Sequence, residues 1–290
     1  MNLRKFKGTG VALVTPFHKD GSIDFKSFKR LIDRCINGQV DYIVPLGTTG
    51  ESVALSASER RVVMDFVVEV AERRVPVMMG MGGNNTLELL RSMEEYDFTG
   101  IDAILSVSPY YNRPSQQGII QHYKAIASEC PVPIFLYNVP SRTGSDMHVE
   151  TVLELASIAP NIAGMKEASG SLEKIMRLHH SRPKDFLIIS GDDLLALPAI
   201  ACGGDGVVSV VANAFPKETS SMIRFCLQGE FDKARKTHYR LFEVTEALFA
   251  EGNPAGIKAM LSIQGVCQEF VRLPLAPVSK SLHKKLESLA

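Results

Sequence analysis

The stretch DAILSVSPYYNRPSQQGIIQHYKAIASECPVPIFLYN, residues 102–138, contains two short apolar runs separated by one amphipathic segment. The runs at 102–108 and 133–138 have the length of buried strands, and the segment 115–129 spaces its apolar side chains at helical intervals. A strand, a helix and a second apolar strand in this order form a parallel βαβ unit, because a parallel return needs a crossover of that length. The stretch therefore predicts an α/β fold.

The same alternation extends to both ends of the chain. Six further apolar runs have the length of strands: GVALVTP (10–16), DYIVPLG (41–47), PVMMGMG (76–82), IAGMKE (162–167), FLIISG (186–191) and GVVSVV (206–211). Eight strand–helix repeats favour a closed (β/α)₈ (TIM) barrel over an open doubly wound sheet. We assign residues 1–228 to the barrel. The mostly helical residues 229–290 are expected to form a C-terminal helical appendage packed on it.

Charge and hydropathy argue against several classes of partner. The 290 residues carry a formal net charge of zero, so neither nucleic acid nor an anionic membrane is favoured as a partner. No apolar run approaches the roughly 20 residues of a membrane span. The five cysteines are scattered without a CxxC pair, which is typical of reduced thiols in a cytoplasmic protein.

The residue patterns predict no metal site. The seven histidines form neither an HExxH motif nor a cluster with cysteines. Asp192 and Asp193 offer two neighbouring carboxylates, for which N-capping of a helix is the favoured role over metal binding.

Lys166 ends the sixth apolar run, and in a barrel enzyme the carboxyl ends of the strands carry the active site. Strand alternation places Ile162, Gly164 and Lys166 on one face, where Gly164 is expected to leave room for the lysine side chain. Burial disfavours the charged form of a lysine, and a neutral amine attacks a ketone to form a Schiff base. An ion pair with Glu167 is the alternative, since a charge at the rim of a core must be paired or used.

The loop GTTGE, residues 47–51, follows the second strand. Its successive backbone N–H groups and the hydroxyls of Thr48 and Thr49 are suited to bind the carboxylate of a small keto acid. A plain strand–helix turn is the alternative.

Polar and aromatic groups follow the fourth and fifth strands as well. Tyr137 is expected beside Lys166 on the adjacent strand, as a proton shuttle or as a core tyrosine. Arg142 is a candidate bidentate clamp for a second carboxylate, or a surface arginine. Tyr110 and Tyr111, on a loop flanked by prolines, suggest either a lid or a subunit contact.

Five motifs in order, GTTGES, SPYYNRP, YNVPSRTG, GMKEASG and SGDD, resemble the 4-hydroxy-tetrahydrodipicolinate synthase (dihydrodipicolinate synthase) family. The resemblance runs from about residue 5 to the C-terminus. This family lies in the superfamily of pyruvate-dependent class I aldolases that includes N-acetylneuraminate lyase. The resemblance implies that Lys166 condenses with pyruvate and that the enamine attacks L-aspartate-4-semialdehyde. This is the first committed step of diaminopimelate and lysine biosynthesis, and it needs no cofactor.

The resemblance also implies residue roles. Tyr137, Thr48 and Tyr111 form a proton relay, and Tyr111 reaches in from a neighbouring subunit. Such sharing implies a dimer, usually paired into a homotetramer. The remaining substrate contacts fall on Thr49, Arg142, Val208 and Gly191, with Arg142 holding the carboxylate of the aldehyde.

Two departures from the family pattern stand out. Where members often carry NPxPxK, residues 253–258 read NPAGIK, so Gly256 replaces the second proline. Four positions match a regulatory lysine site: Ser52, Asn84, Glu88 and Tyr110. Ala57 and Arg60 stand where such members often have histidine, so inhibition by lysine is a hypothesis.

Two alternative functions remain. A sibling aldolase acting on a sugar keto acid such as N-acetylneuraminate needs hydroxyl-binding groups near the eighth strand, where the chain offers Ser209 and Asn213. A barrel that binds a keto acid without turnover is the other alternative.

Overall fold

The structure is a computed structural model that describes residues 2–290. Eight parallel strands form one sheet: β1 (Gly8–Ala12), β2 (Tyr42–Val44), β3 (Met78–Gly80), β4 (Ala103–Val107), β5 (Ile134–Asn138), β6 (Ile162–Glu167), β7 (Leu187–Ser190) and β8 (Gly206–Ser209). Each expected apolar run contains one of them except the first, because β1 begins two residues before the run 10–16. Most strands are shorter than their runs.

The sheet closes on itself. Its hydrogen-bonded order is β2-β1-β8-β7-β6-β5-β4-β3. A parallel bridge between Ile43 and Val77 joins the two end strands, and the N–H of Gly80 donates to the carbonyl of Pro45 at 2.8 Å. The predicted (β/α)₈ barrel is therefore confirmed.

The helices surround this barrel and continue beyond it: α1 (Phe25–Asn37), α2 (Ala57–Ala71), α3 (Thr86–Glu94), α4 (Gln116–Glu129), α5 (Pro140–Thr143), α6 (Val149–Ile158), α7 (Leu172–Ser181), α8 (Ala196–Ala201), α9 (Pro216–Leu227), α10 (Phe231–Phe249), α11 (Ala255–Ile263) and α12 (Lys280–Glu287). Three 3₁₀ turns occur at Leu3–Phe6, Ser52–Ala54 and Val211–Asn213. None of the helices within residues 2–290 has the length and apolarity needed to cross a membrane.

Two apolar layers lie on the two faces of the strands. The larger one lies between strands and helices, while a smaller one fills the barrel interior. Phe6, just before β1, packs edge-to-face against Tyr42 and Phe135 inside the barrel, with ring centroids 5.4 and 5.2 Å apart. These aromatic rings fill the interior near the N-terminal ends of the strands, which leaves the opposite end for chemistry.

Strand β6 departs from simple alternation. Its register against β5 shifts by one residue: Ile134 pairs with Ile162, but Phe135 pairs with Gly164. Ile162 consequently packs in the outer layer and Ala163 in the interior layer. The expectation that Ile162 shares a face with Lys166 is wrong, because the irregularity inserts one residue and resets the alternation.

Helices α10 and α11 cross closely at Gly256. A Cβ at this position would lie 2.1 Å from the carbonyl oxygen of Leu248. No side chain fits there without a shift of backbone. The close packing of α10 against α11 therefore requires the glycine that replaces the second proline of the family motif.

Candidate active site

Lys166 and Tyr137 meet at the carboxyl ends of adjacent strands. The register of β5 and β6 pairs the two residues directly. Lys166 Nζ lies 4.3 Å from the centroid of the Tyr137 ring, and the two residues are only 6% and 7% exposed. The amine expected at the barrel mouth is therefore largely out of water, with a tyrosine beside it.

Gly191, rather than Gly164, makes room for the lysine. A Cβ at position 191 would lie 2.8 Å from Lys166 Cε and 2.5 Å from the Cβ of Ala168. At Gly164, in contrast, a Cβ would lie 2.7 Å from Cε1 of Phe135. The space at Gly164 is thus filled by the Phe135 ring and by the backbone of Leu187, so this glycine does not have the expected role.

The alternative in which Glu167 pairs with Lys166 does not occur. Glu167 accepts hydrogen bonds from Asn138 Nδ2 at 3.0 Å and from the N–H of Ser169 at 2.5 Å. Its nearest ammonium group is that of Lys174, at 3.9 Å. Lys166 itself forms no ion pair with any carboxylate in the described chain.

A second lysine, Lys258 on α11, is completely buried but differs in its partners. Its Nζ contacts Glu51 Oε1 at 2.5 Å and the carbonyl of Phe270 at 2.8 Å, and it lies 4.0 Å from the ring centroid of Phe17. Burial lowers the pKa of Lys258, and the Glu51 carboxylate opposes that shift. Because these contacts occupy its amine, Lys166 is the better candidate nucleophile. Sequence reasoning missed this pair, since no local pattern joins the two residues.

The GTTGE loop consists of two overlapping turns. The N–H of Gly50 donates to the carbonyl of Gly47, and that of Glu51 donates to the carbonyl of Thr48, both at 3.1 Å. The N–H groups of Thr48 and Thr49 have no acceptor within residues 2–290. Two adjacent unpartnered donors above β2 form the kind of nest that binds an anion.

The C-terminal region also reaches this loop through Asn253. Its Nδ2 donates to Thr49 Oγ1 at 2.9 Å, and its carbonyl lies 3.5 Å from Arg142 Nη2. Asn253 therefore connects Thr49 of the GTTGE loop, where the keto acid carboxylate is expected to bind, to the exposed guanidinium of Arg142. The sequence pattern marked Asn253 only as part of a scaffold motif.

The other predicted contacts lie around the same mouth. Val208 is buried in β8, opposite Gly10 of β1. Tyr111 follows β4 with its side chain 89% exposed and a left-handed φ of 72°. The structure thus brings Lys166 and Tyr137 together, whereas Tyr111 points into solvent from its own barrel.

The four residues that match a lysine site lie in the connections after three consecutive strands, with Glu88 in the first turn of α3. Ser52 follows β2, Asn84 and Glu88 follow β3, and Tyr110 follows β4. Asn112 Nδ2 donates to the carbonyl of Asn84 at 2.9 Å and so joins the last two loops. No hydrogen bond in the described chain joins Ser52 to the other three.

Asp192 and Asp193 have separate structural roles. Asp192 Oδ1 accepts from the N–H groups of Leu194 and Leu195, at 2.9 and 3.2 Å, in the turn that precedes α8. Asp193 is buried instead, bonded to the hydroxyl of Ser209 and the N–H of Val210, and burial raises the pKa of its carboxyl. Neither side chain therefore caps α8, and the expected N-capping role is wrong for both aspartates. Within residues 2–290, no cluster of histidine, cysteine or acidic side chains could hold a metal ion.

The hydroxyl-binding groups that a sugar aldolase requires are already occupied. Ser209 and Asn213 are completely buried. Ser209 binds Asp193, and Asn213 Nδ2 donates to the carbonyl of Ala12 at 2.8 Å while its Oδ1 accepts from the N–H of Val14 at 3.2 Å. This geometry disfavours a sugar keto acid as substrate.

Comparisons with known proteins agree with this geometry. The model of the dihydrodipicolinate synthetase (DHDPS) family matches residues 5–290. The chain is 46% identical over 285 residues to the 4-hydroxy-tetrahydrodipicolinate synthase of Flavobacterium psychrophilum, covering 98% of this chain and 97% of that protein.

Two solved structures extend the match. The 4-hydroxy-tetrahydrodipicolinate synthase of Methylacidiphilum fumariolicum SolV superposes with a TM-score of 0.95 at 42% identity, covering 98% of this chain and 94% of the other. The crystal structure of DHDPS from Cyanidioschyzon merolae with lysine bound has a TM-score of 0.94 at 38% identity, covering 98% and 97%. These matches confirm the predicted family over its sibling lyases, and the chain belongs to the dihydrodipicolinate synthetase family.

Proposed function

We propose that the protein condenses pyruvate with L-aspartate-4-semialdehyde through a Schiff base on Lys166 to give 4-hydroxy-tetrahydrodipicolinate. The observation that carries this function is a buried lysine at the barrel mouth, beside Tyr137, that forms no ion pair within residues 2–290. Relatives of nearly the same length that are named 4-hydroxy-tetrahydrodipicolinate synthase support the same reaction.

The chemistry begins with attack of Lys166 Nζ on the ketone carbon of pyruvate, which releases water and leaves an imine. Loss of a methyl proton gives the enamine, whose carbon attacks the aldehyde carbon while the aldehyde oxygen gains a proton. The amino group of the second substrate then displaces Lys166 and closes the ring. Tyr137, at the lysine, carries protons between these steps together with Thr48.

Binding of the two carboxylates is divided between two sites. The free N–H groups of Thr48 and Thr49, with the hydroxyl of Thr49 and the backbone at Val208, hold the carboxylate of pyruvate. Arg142 is exposed at the mouth, where its guanidinium holds the carboxylate of the aldehyde. Gly191 contributes by admitting the lysine side chain.

Tyr111 completes the proton relay of a neighbouring subunit. Its exposure and its left-handed backbone support this role, because such a conformation is costly for a bulky residue and is found where function requires it. The functional unit is then a dimer, with a homotetramer as a dimer of dimers, working in the cytoplasm.

Lysine regulates the enzyme at a site formed by Ser52, Asn84, Glu88 and Tyr110. The exposed carboxylate of Glu88 suits the amino group of a lysine ligand. A DHDPS with lysine bound exists among the structural relatives. Activity that is unchanged at millimolar lysine would contradict this regulation.

The function is tested by incubating the protein with pyruvate and borohydride. Reduction of the imine leaves a permanent adduct, which peptide mass spectrometry is expected to locate on Lys166 and which Lys166→Ala should abolish. Turnover is then measured with L-aspartate-4-semialdehyde and, separately, with N-acetylmannosamine. An adduct without turnover would indicate a keto-acid binder, and rapid turnover of the sugar alone would indicate the sibling lyase.

A further inference from the structure

Glu51, the last residue of the GTTGE loop, is bound by the C-terminal region through both carboxylate oxygens. Oε1 contacts Lys258 Nζ at 2.5 Å, and Oε2 accepts from the N–H of Arg272 at 2.9 Å. Glu51 is 2% exposed and Lys258 is completely buried. The pair joins residues 207 positions apart in the sequence.

This ion pair is difficult to separate. Lys258 is surrounded by Phe17 and the carbonyl of Phe270, so removal of Glu51 would leave a buried charge without its counter-ion. The carboxylate of Glu51 is therefore fixed relative to α11.

The backbone of Glu51 needs such a restraint. Its φ of 54° lies in the left-handed region, which is unfavourable for residues with a side chain. Its N–H closes the turn whose first residue is Thr48, and Thr15 Oγ1 donates to the carbonyl of Gly50 at 2.7 Å. Holding Glu51 in this conformation sets the direction of the free N–H groups of Thr48 and Thr49.

We propose that the buried Glu51–Lys258 pair is a positioning device for the binding of the oxo acid carboxylate. Glu51 and Lys258 do not touch the substrate. They fix the loop whose Thr48 and Thr49 N–H groups do, so the C-terminal helical region forms part of the substrate site. This inference deepens the proposed function and rests on the binding of pyruvate at that loop.

The test uses the full-length protein and the variant Lys258→Met. Because the loop donors lose their alignment, the KM for pyruvate and the pyruvate concentration for half-maximal borohydride trapping should both rise about 10- to 100-fold. The KM for L-aspartate-4-semialdehyde should change less, since Arg142 reaches the C-terminal region only through the carbonyl of Asn253 and contacts neither Glu51 nor Lys258 in the described chain. Lys285→Met, which removes an exposed ammonium 3.9 Å from Glu243, is the matched control and should leave all three values unchanged.

A second variant covers the case in which Lys258→Met fails to fold. The double variant Glu51→Met/Lys258→Met removes both charges together, which is often tolerated where removal of one is not. If the folded double variant binds pyruvate as the wild type does, the pair is merely structural and the positioning role is wrong. If wild-type protein forms no adduct with pyruvate, the proposed function itself fails, and the positioning role fails with it.

Discussion

At the scale of single residues, the site depends on which glycine admits the lysine. The pattern of β6 points to Gly164, which precedes Lys166 by two positions, but the Phe135 ring and the backbone of Leu187 occupy that space. Gly191, on the neighbouring strand end, adjoins the lysine side chain instead. A contact between neighbouring strands thus replaces the one expected within the strand.

We expect Gly191→Ala to displace the Lys166 side chain, since its Cβ would lie 2.8 Å from Lys166 Cε. Misplacement of a nucleophile by about 1 Å costs on the order of 100-fold in rate, so kcat/KM should fall by about that factor. Steady-state kinetics and the rate of borohydride trapping measure the effect. Gly83→Ala is the matched control, because a Cβ there meets no atom within 4 Å. Wild-type kcat/KM in Gly191→Ala would contradict this role.

At the scale of elements, one segment after α11 connects several parts of the barrel. Arg272 donates to both oxygens of Glu59 in the first turn of α2, at 2.5 and 2.9 Å, and to the carbonyl of Gly21. These bonds lower the pKa of Glu59 to about 2. The segment between α11 and α12 is thus tied to the start of α2, next to the loop that ends at Glu51.

The ion pair between Glu59 and Arg272 predicts that the stability of the protein depends on pH. The Glu59 carboxyl has a lower pKa in the folded state than its ordinary 4.5, so it stabilises the protein above that pH. The contribution is lost as pH falls from about 4.5 toward 2. With solvent screening of a partly exposed pair, Glu59→Gln should cost about 1 kcal/mol near neutral pH and much less at low pH.

Urea unfolding of wild type and Glu59→Gln across this pH range measures the difference in free energy of unfolding. Glu150→Gln, which removes the carboxylate from an exposed pair with Arg177, serves as the control and should have little effect at any pH. A difference for Glu59→Gln that stays constant between pH 7 and pH 3 would refute the assignment.

At the scale of the whole molecule, one barrel does not bring together all three residues of the proposed relay. Lys166 and Tyr137 are enclosed, while Tyr111 is exposed on the rim of the same barrel. Under the proposed function, a second copy of the chain would approach this rim and bring its own Tyr111 to the site. The division of the chain at residue 228 stays a prediction.

The proposed sharing of sites between subunits predicts that two impaired variants restore activity when they are combined in one dimer. Lys166→Ala and Tyr111→Phe should each be impaired when expressed alone. When the two variants are co-expressed in equal amounts, half of the dimers contain one subunit of each variant. Each of these mixed dimers has one site with both an intact Lys166 and an intact Tyr111. Activity should therefore recover to about a quarter of the wild-type value if the dimer is symmetric. Activity equal to the mean of the two separate variants would show that each barrel works alone.

The sequence by itself determined the eight strand–helix repeats, the barrel and the candidates Lys166 and Tyr137. These follow from local periodicity and from the rule that barrel chemistry lies at the carboxyl ends of the strands. Both residues are found side by side in the structure.

Only the tertiary structure decided the irregularity in β6, the role of Gly191 and the buried pair of Glu51 with Lys258. Each depends on which groups from distant parts of the chain become neighbours once water is excluded. A buried charge must find a partner, but the sequence carries no periodic signal for a partner 207 residues away. Local pattern therefore identified Lys166 as the candidate nucleophile, whereas the groups that surround it were decided by tertiary packing.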